Sequence, residues 1–222
     1  MVEQESMDEQ TASTAGTDTT QYTGSGDYGE TTLSDDVPIG KGAPRIAASG
    51  ECEEAGALLG VAISLGPEMS NDMVRLLVRV QNDLIDVSAD ISTLYHSEEA
   101  SESVTRIDQG YLGRLDRACD YFSAELPPPE SVVVHGGTTS AATLFHARTV
   151  VRRAERTTQV ALEQERMNPL TGTYLNRLGT LLLILARQAN VEHGDSLWRP
   201  GLSAELQDTE LWEPLPELNP EE

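Results

Sequence analysis

Residues 70–94 read SNDMVRLLVRVQNDLIDVSADISTL, and the fold turns on that stretch. Leu76, Val80, Leu84, Val87 and Ile91 recur at steps of 4, 4, 3 and 4, which draws one apolar stripe along a helix. Outward from it the helical period returns. One helix is expected from about Pro44 to Leu65, before this one. A third runs from about Asp108 to Leu126, where Pro127-Pro128-Pro129 stops it. A fourth starts at Thr138 or Thr139, both good N-cap residues, and continues to about Arg166. The fifth follows Asn168-Pro169 to about Val191, with Tyr174, Leu178, Leu181 and Leu185 as its stripe. Between the third and fourth, a short β-branched run from Ser131 to Val134 leads into Gly136-Gly137. There is no alternating strand pattern and no internal repeat. The expectation is an all-α five-helix bundle over residues 22–200. Disordered acidic tails are expected over 1–21 and 201–222, and the chain from Asp195 onward is expected to be mostly irregular.

The chain has 222 residues, enough for one domain with a sizeable core. Its net charge of −22 sits mostly at the ends: residues 1–36 hold nine acids and 202–222 hold seven, with no Lys or Arg in either. An acidic surface disfavours nucleic acid and anionic membranes, though it leaves room for a local anion site. The first 20 residues lack a basic region followed by an apolar run, and no stretch reaches the roughly 18–20 apolar residues that span a bilayer. A cytoplasmic chain is expected. Cys52 and Cys119 form no CxxC and are expected to be free thiols. His135, His146 and His193 make no HExxH, and His96 lies in a polar loop, so no metal site built from protein ligands alone is expected.

Three places carry chemistry. The segment 22–45, YTGSGDYGETTLSDDVPIGKGAPR, sets Gly24, Gly26 and Gly29 among hydroxyl side chains. Such a loop lets backbone N–H groups approach a phosphate, and it also has the composition of a linker. Lys41, the single lysine, ends it between two glycines and suits either a phosphate oxygen or solvent. In the fourth helix Arg148, Arg152 and Arg156 stand at i, i+4 and i+8 on one face. Like charges so spaced repel by a few tenths of a kcal/mol per pair, so the face calls for an anion. Facing acids such as Glu155 or the pair Glu53-Glu54 would answer it, and so would a polyphosphate. In the fifth helix Asn176 lies beside the stripe and can serve a neighbour or a ligand.

In their order, the segments 23–31 (TGSGDYGET), Lys41, Ala147–Arg156 (ARTVVRRAER) and Tyr174–Leu178 (YLNRL) resemble the PduO-type ATP:cob(I)alamin adenosyltransferases. Gln81-Asn82-Asp83-Leu84, Ala89-Asp90, Glu125-Leu126-Pro127, Gly136-Gly137 and Leu197-Trp198-Arg199-Pro200 extend the resemblance over about 22–200. It implies a homotrimer of five-helix bundles with ATP, accompanied by Mg²⁺, between neighbouring subunits. It also implies transfer of the adenosyl group from ATP to the cobalt of cob(I)alamin, releasing triphosphate and forming adenosylcobalamin.

Carried over residue by residue, the resemblance sets Thr23, Gly24, Ser25, Gly26, Thr31 and Lys41 around the phosphates. Arg152, Arg153, Ala154, Glu155 and Arg156 form the helix-borne part of the nucleotide site. Asn176 contacts ATP, and Arg152 and Asn176 are the catalytic pair. Arg148 pairs across the subunit interface with Glu53. The cobalamin pocket falls to Val132 and His135, where family members usually carry Phe and Pro. That Phe is associated with displacing the lower axial base of cobalamin. Further departures are Tyr28 for Lys, Glu53 for Asp, Gly56 for Asn, and Gly179-Thr180 for Ser-Asp. A non-catalytic nucleotide- or cobalamin-binding descendant is the alternative these departures leave open.

Overall fold

The structure, a computed structural model, describes residues 24–33, 37–67, 69–94 and 105–202. The tails expected over 1–21 and beyond 202 lie outside the described residues, as does Thr23. Five helices follow a small hairpin: β1 (Glu30–Thr32), β2 (Pro38–Gly40), α1 (Pro44–Leu65), α2 (Asn71–Ile91), α3 (Gln109–Ser123), α4 (Thr139–Gln164) and α5 (Leu170–Ala189). The hairpin is an addition to the all-α expectation. Thr31 pairs with Ile39 between Glu30↔Gly40 and Thr32↔Pro38, and strands of three residues are too short to show a period-2 pattern.

Local chemistry sets the helix ends. Pro44 occupies the first turn of α1, where its missing N–H removes no bond. The Ser70, Asp108 and Thr138 side chains accept from the backbone N–H groups of Met73, Gly110 and Ala141, each answering a donor that the helix leaves unpaired. α1 packs on α2 and α4, α4 on α5, and α5 on α3. The core face of α2 is Met73, Leu77, Val80, Leu84, Val87 and Ile91. Leu77 therefore replaces Leu76, which flanks the core half-buried. A step of 4 from 73 keeps the stripe straight, and its four later members are those expected. Tyr174 is the largest buried side chain; its hydroxyl donates to Asp83 at 3.0 Å, and burial pushes the Asp83 carboxyl above its usual range.

At the end of the bundle where α1 begins, buried Asp90 accepts from the Ile107 N–H (2.7 Å), the Asn168 amide (2.7 Å) and Arg106 (2.6 Å). A buried carboxylate needs such a set of donors. Nearby, Arg45 Nε lies 3.3 Å from Glu165 and ties the start of α1 to the end of α4. Both cysteines are free, as expected. Among the described residues no helix is long and apolar enough to cross a membrane.

Candidate nucleotide and corrinoid site

The glycine-rich segment folds onto Lys41. Gly24, Gly26 and Gly29 all have positive φ, and the Lys41 N–H donates to the Gly29 carbonyl at 2.8 Å. At Gly26 the requirement is strict: φ is +83°, and a Cβ would lie 2.7 Å from the Glu30 carbonyl oxygen and 3.2 Å from Lys41 Nζ. The ammonium thus rests against the backbone of the glycine turn. Ser25 sits exposed in the turn and Thr31 half-buried in β1.

On α4 the arginines divide. Arg152 lies 2.5 Å from Glu155 and donates to Asn176 Oδ1 at 2.8 Å, joining α4 to α5. Its stem lies flush against Gly179, where a Cβ would come within 2.9 Å of Arg152 Cδ. Arg156 donates to the Arg152 carbonyl at 2.9 Å. Arg153 turns the other way and pairs with Glu54 and Glu51 of α1. Ala154 is wholly buried, its methyl in the core, so it adds backbone and no side-chain contact to this face. Asn176 is exposed, so its bond to Arg152 is not the rescue of a buried amide.

Arg148 is different. Its Nε is buried with no hydrogen-bond partner, and burial, then the charge of Arg152, pulls the guanidinium pKa below its ordinary value. Glu53 stands exposed on α1, and no ion pair joins it to Arg148 within one protomer. Beside Glu53 is a cavity of about 310 Å³ lined by Cys52, Gly56, Gln81 and Ile85, among others. Gly56 has nothing within 4 Å of its Cβ position, so a side chain there would project into this cavity.

The third group lies where the 127–138 connection meets the chain after α5. Val133 bridges Leu197 in an antiparallel pair, with Val134 N donating to Ser196 O at 2.8 Å and Trp198 N to Val132 O at 2.7 Å. Arg187 fastens both segments: its Nε donates to Asp195 at 2.7 Å and its Nη2 to the Pro127 carbonyl at 2.7 Å. The chain after Asp195 is mostly irregular, as expected, and the single bridge between Val133 and Leu197 is the addition that makes a strap of the two segments and ties Trp198 beside Val132. Val132 is exposed, and the His135 ring stacks on Phe145 with centroids 4.6 Å apart and planes 11° from parallel.

The hairpin and the arginine face lie apart in this chain. Arg45, four residues after Lys41, packs at Glu165, which is thirteen residues along α4 from Arg152, or about 20 Å. Among the described residues no hydrogen bond or ion pair joins Lys41 to α4. Glu51 and Arg187 were not singled out from sequence, and Gly179 and Trp198 entered only as a departure from the family pattern and as part of a matching motif, without a role. Their roles depend on which helix faces which, and only Gly179, a glycine inside an apolar helix, leaves a local trace.

Residues 21–189 match the cobalamin adenosyltransferase family. A corrinoid adenosyltransferase of Mycobacterium tuberculosis is 44% identical over 182 residues, covering 81% of this chain and 93% of the relative. A cobalamin adenosyltransferase of Cupriavidus metallidurans is 32% identical over 179 residues, covering 80% and 92%. A variant PduO-type ATP:corrinoid adenosyltransferase from Lactobacillus reuteri, complexed with cobalamin and ATP, superposes with a TM-score of 0.73 at 29% identity, covering 80% of this chain and 98% of that one. The family match over most of the chain, the identity to these relatives and the shared helix arrangement agree, and the chain belongs to the cobalamin adenosyltransferase family.

Proposed function

We propose that the protein transfers the 5′-deoxyadenosyl group of ATP to the cobalt of cob(I)alamin. The observation that carries this reading is Arg152, held between Glu155 and Asn176 on an arginine-lined helix face. Cob(I)alamin is itself the nucleophile, so no protein base is needed. A Co–C bond forms at C5′ while the C5′–O bond breaks, and its electron pair leaves with inorganic triphosphate. The chain's task is to hold ATP in line, stabilise the leaving charge and exclude water. Thr23, Gly24, Ser25, Gly26, Thr31 and Lys41 receive the phosphates; Arg152, Arg153, Glu155, Arg156 and Asn176 receive the nucleotide from the helix side. Mg²⁺ arrives with ATP.

The site is completed by a second copy, in a homotrimer of cytoplasmic protein. Two features support this: the separation of the Lys41 hairpin from Arg152, and the unpartnered Arg148 Nε, which Glu53 of a neighbouring copy would satisfy. Arg148→Ala is expected to shift the assembly toward monomer in light scattering and to cut turnover; an unchanged trimer overturns the pairing. Val132 and His135 line the cobalamin side. Purified protein, Mg-ATP and chemically reduced cob(I)alamin, mixed anaerobically, should yield adenosylcobalamin by its visible absorbance. No turnover alongside calorimetric ATP binding would favour the alternative, a non-catalytic descendant, to which the small Val132 side chain points.

A further inference from the structure

The strap presents an aromatic side chain that none of the roles above uses. Val133 and Leu197 form a non-hydrogen-bonded antiparallel pair, so Val132 stands opposite Trp198. Side chains directly opposite one another share a face about 5 Å apart. Val133 points inward and is buried; Val132 and Trp198 point outward, 66% and 53% exposed. An indole with half its surface in water is not a core plug, and the strap's core contact is made by Val133. The mounting is nevertheless rigid. Besides the two backbone bonds, Ser131 Oγ donates to the Trp198 carbonyl at 3.0 Å, and Arg187 fastens both segments from behind. An exposed apolar pair on a stiff support is the form of a ligand wall, and tryptophan gives a large contact area for little conformational entropy.

We infer that Trp198 is a specificity-determining residue for the corrinoid: its indole, set beside Val132, forms the apolar wall on the lower face of the corrin ring. The inference rests on the reading of Val132 as part of the cobalamin pocket. A valine alone is too small to occupy the space from which a lower axial base must be displaced. The neighbouring strand delivers the missing bulk at the same level, so the two positions act as one surface shared between two segments of chain.

The test compares the wild type with Trp198→Ala, Trp198→Phe and the double variant Trp198→Ala/Val132→Phe. Each is measured with cob(I)alamin and with reduced cobinamide, which lacks the nucleotide loop and its base. Trp198→Ala should raise KM for cob(I)alamin roughly tenfold and leave KM for ATP within about twofold, since one large aromatic contact is lost on one substrate only. The defect should shrink with cobinamide, and both Trp198→Phe and the double variant should recover most of it. A corrinoid KM unchanged in Trp198→Ala overturns the inference. So does an equal rise in both KM values with no rescue, which marks a collapsed strap. Binding gives a second readout. In a Trp212→Phe background Trp198 is the sole tryptophan, and cob(II)alamin should quench its fluorescence where ATP does not; no quenching overturns the wall. If the wild type turns over neither corrinoid, the proposed activity fails on its own, and the quenching still decides the wall.

Discussion

The arginine face of α4 and the strap beside Val132 are built on opposite plans. The first lies on three long helices, and its arginines are held by neighbours: Arg152 by Glu155 and Asn176, and Arg153 by Glu51 and Glu54. The second lies on two short irregular segments joined by backbone bonds and one guanidinium, and it shows apolar surface to water. A triphosphate leaving group needs fixed positive charge with little rearrangement, which helices provide. A flat, bulky, largely apolar ring needs a broad wall whose shape is set by few contacts, which a strap provides. The difference predicts that damage on each side will be felt by one substrate.

The largest effect should come from Arg152→Ala, which removes the donor proposed to meet the developing charge: turnover should fall about 100- to 1,000-fold with little change in melting temperature. A loss below tenfold would dissolve the distinction between the two regions. Gly179→Ala is next. The added methyl displaces the Arg152 stem, and a fall of about tenfold is expected, with corrinoid KM unchanged in steady-state kinetics. Asp195→Asn weakens the clamp on the strap. It should raise corrinoid KM several-fold and leave ATP KM unmoved, and the half-buried ion pair it disturbs should lower stability by about 1–3 kcal/mol in urea unfolding.

The smallest effect lies in the bundle behind both regions. Burial, then Glu51 and Glu53, pushes the Cys52 thiol up to about 12 from an ordinary 9.0. Below the unfolded value the thiol is neutral in both states and stability is untouched. Between about 9 and 12 only the unfolded chain loses the proton, so stability falls as pH rises. The drop from pH 9 to 10 should be about 1 kcal/mol, and Cys52→Ala should flatten it in denaturant titrations run at both pH values.

Much of this was legible in the sequence where the signal is local. Pro44 and the 3.6-residue period gave α1 its observed limits, Thr138 marked the start of α4, and Val80, Leu84, Val87 and Ile91 marked the buried face of α2. Leu76 for Leu77 is a one-residue error of phase, possible because both are leucines on adjacent rows. The hairpin was hidden by its length. The resemblance groups Arg153 with Arg152, and its pairing with Glu51 and Glu54 of α1 was not legible, because a helix turns about 100° per residue and the facing helix is not written in the sequence. The strap was hidden because each of its two segments pairs with one more than 60 residues away, and no period announces such a pairing.

One detail reaches beyond mechanism. The chain holds a single lysine, and the structure seats its ammonium against the glycine turn. An acylating reagent therefore finds one ε-amino group among 222 residues. Acylation of that ε-amine, separated from any α-amine by peptide mapping, becomes a reporter of one position, and protection by a bound anion would be read as a modified Lys41 peptide that fails to appear.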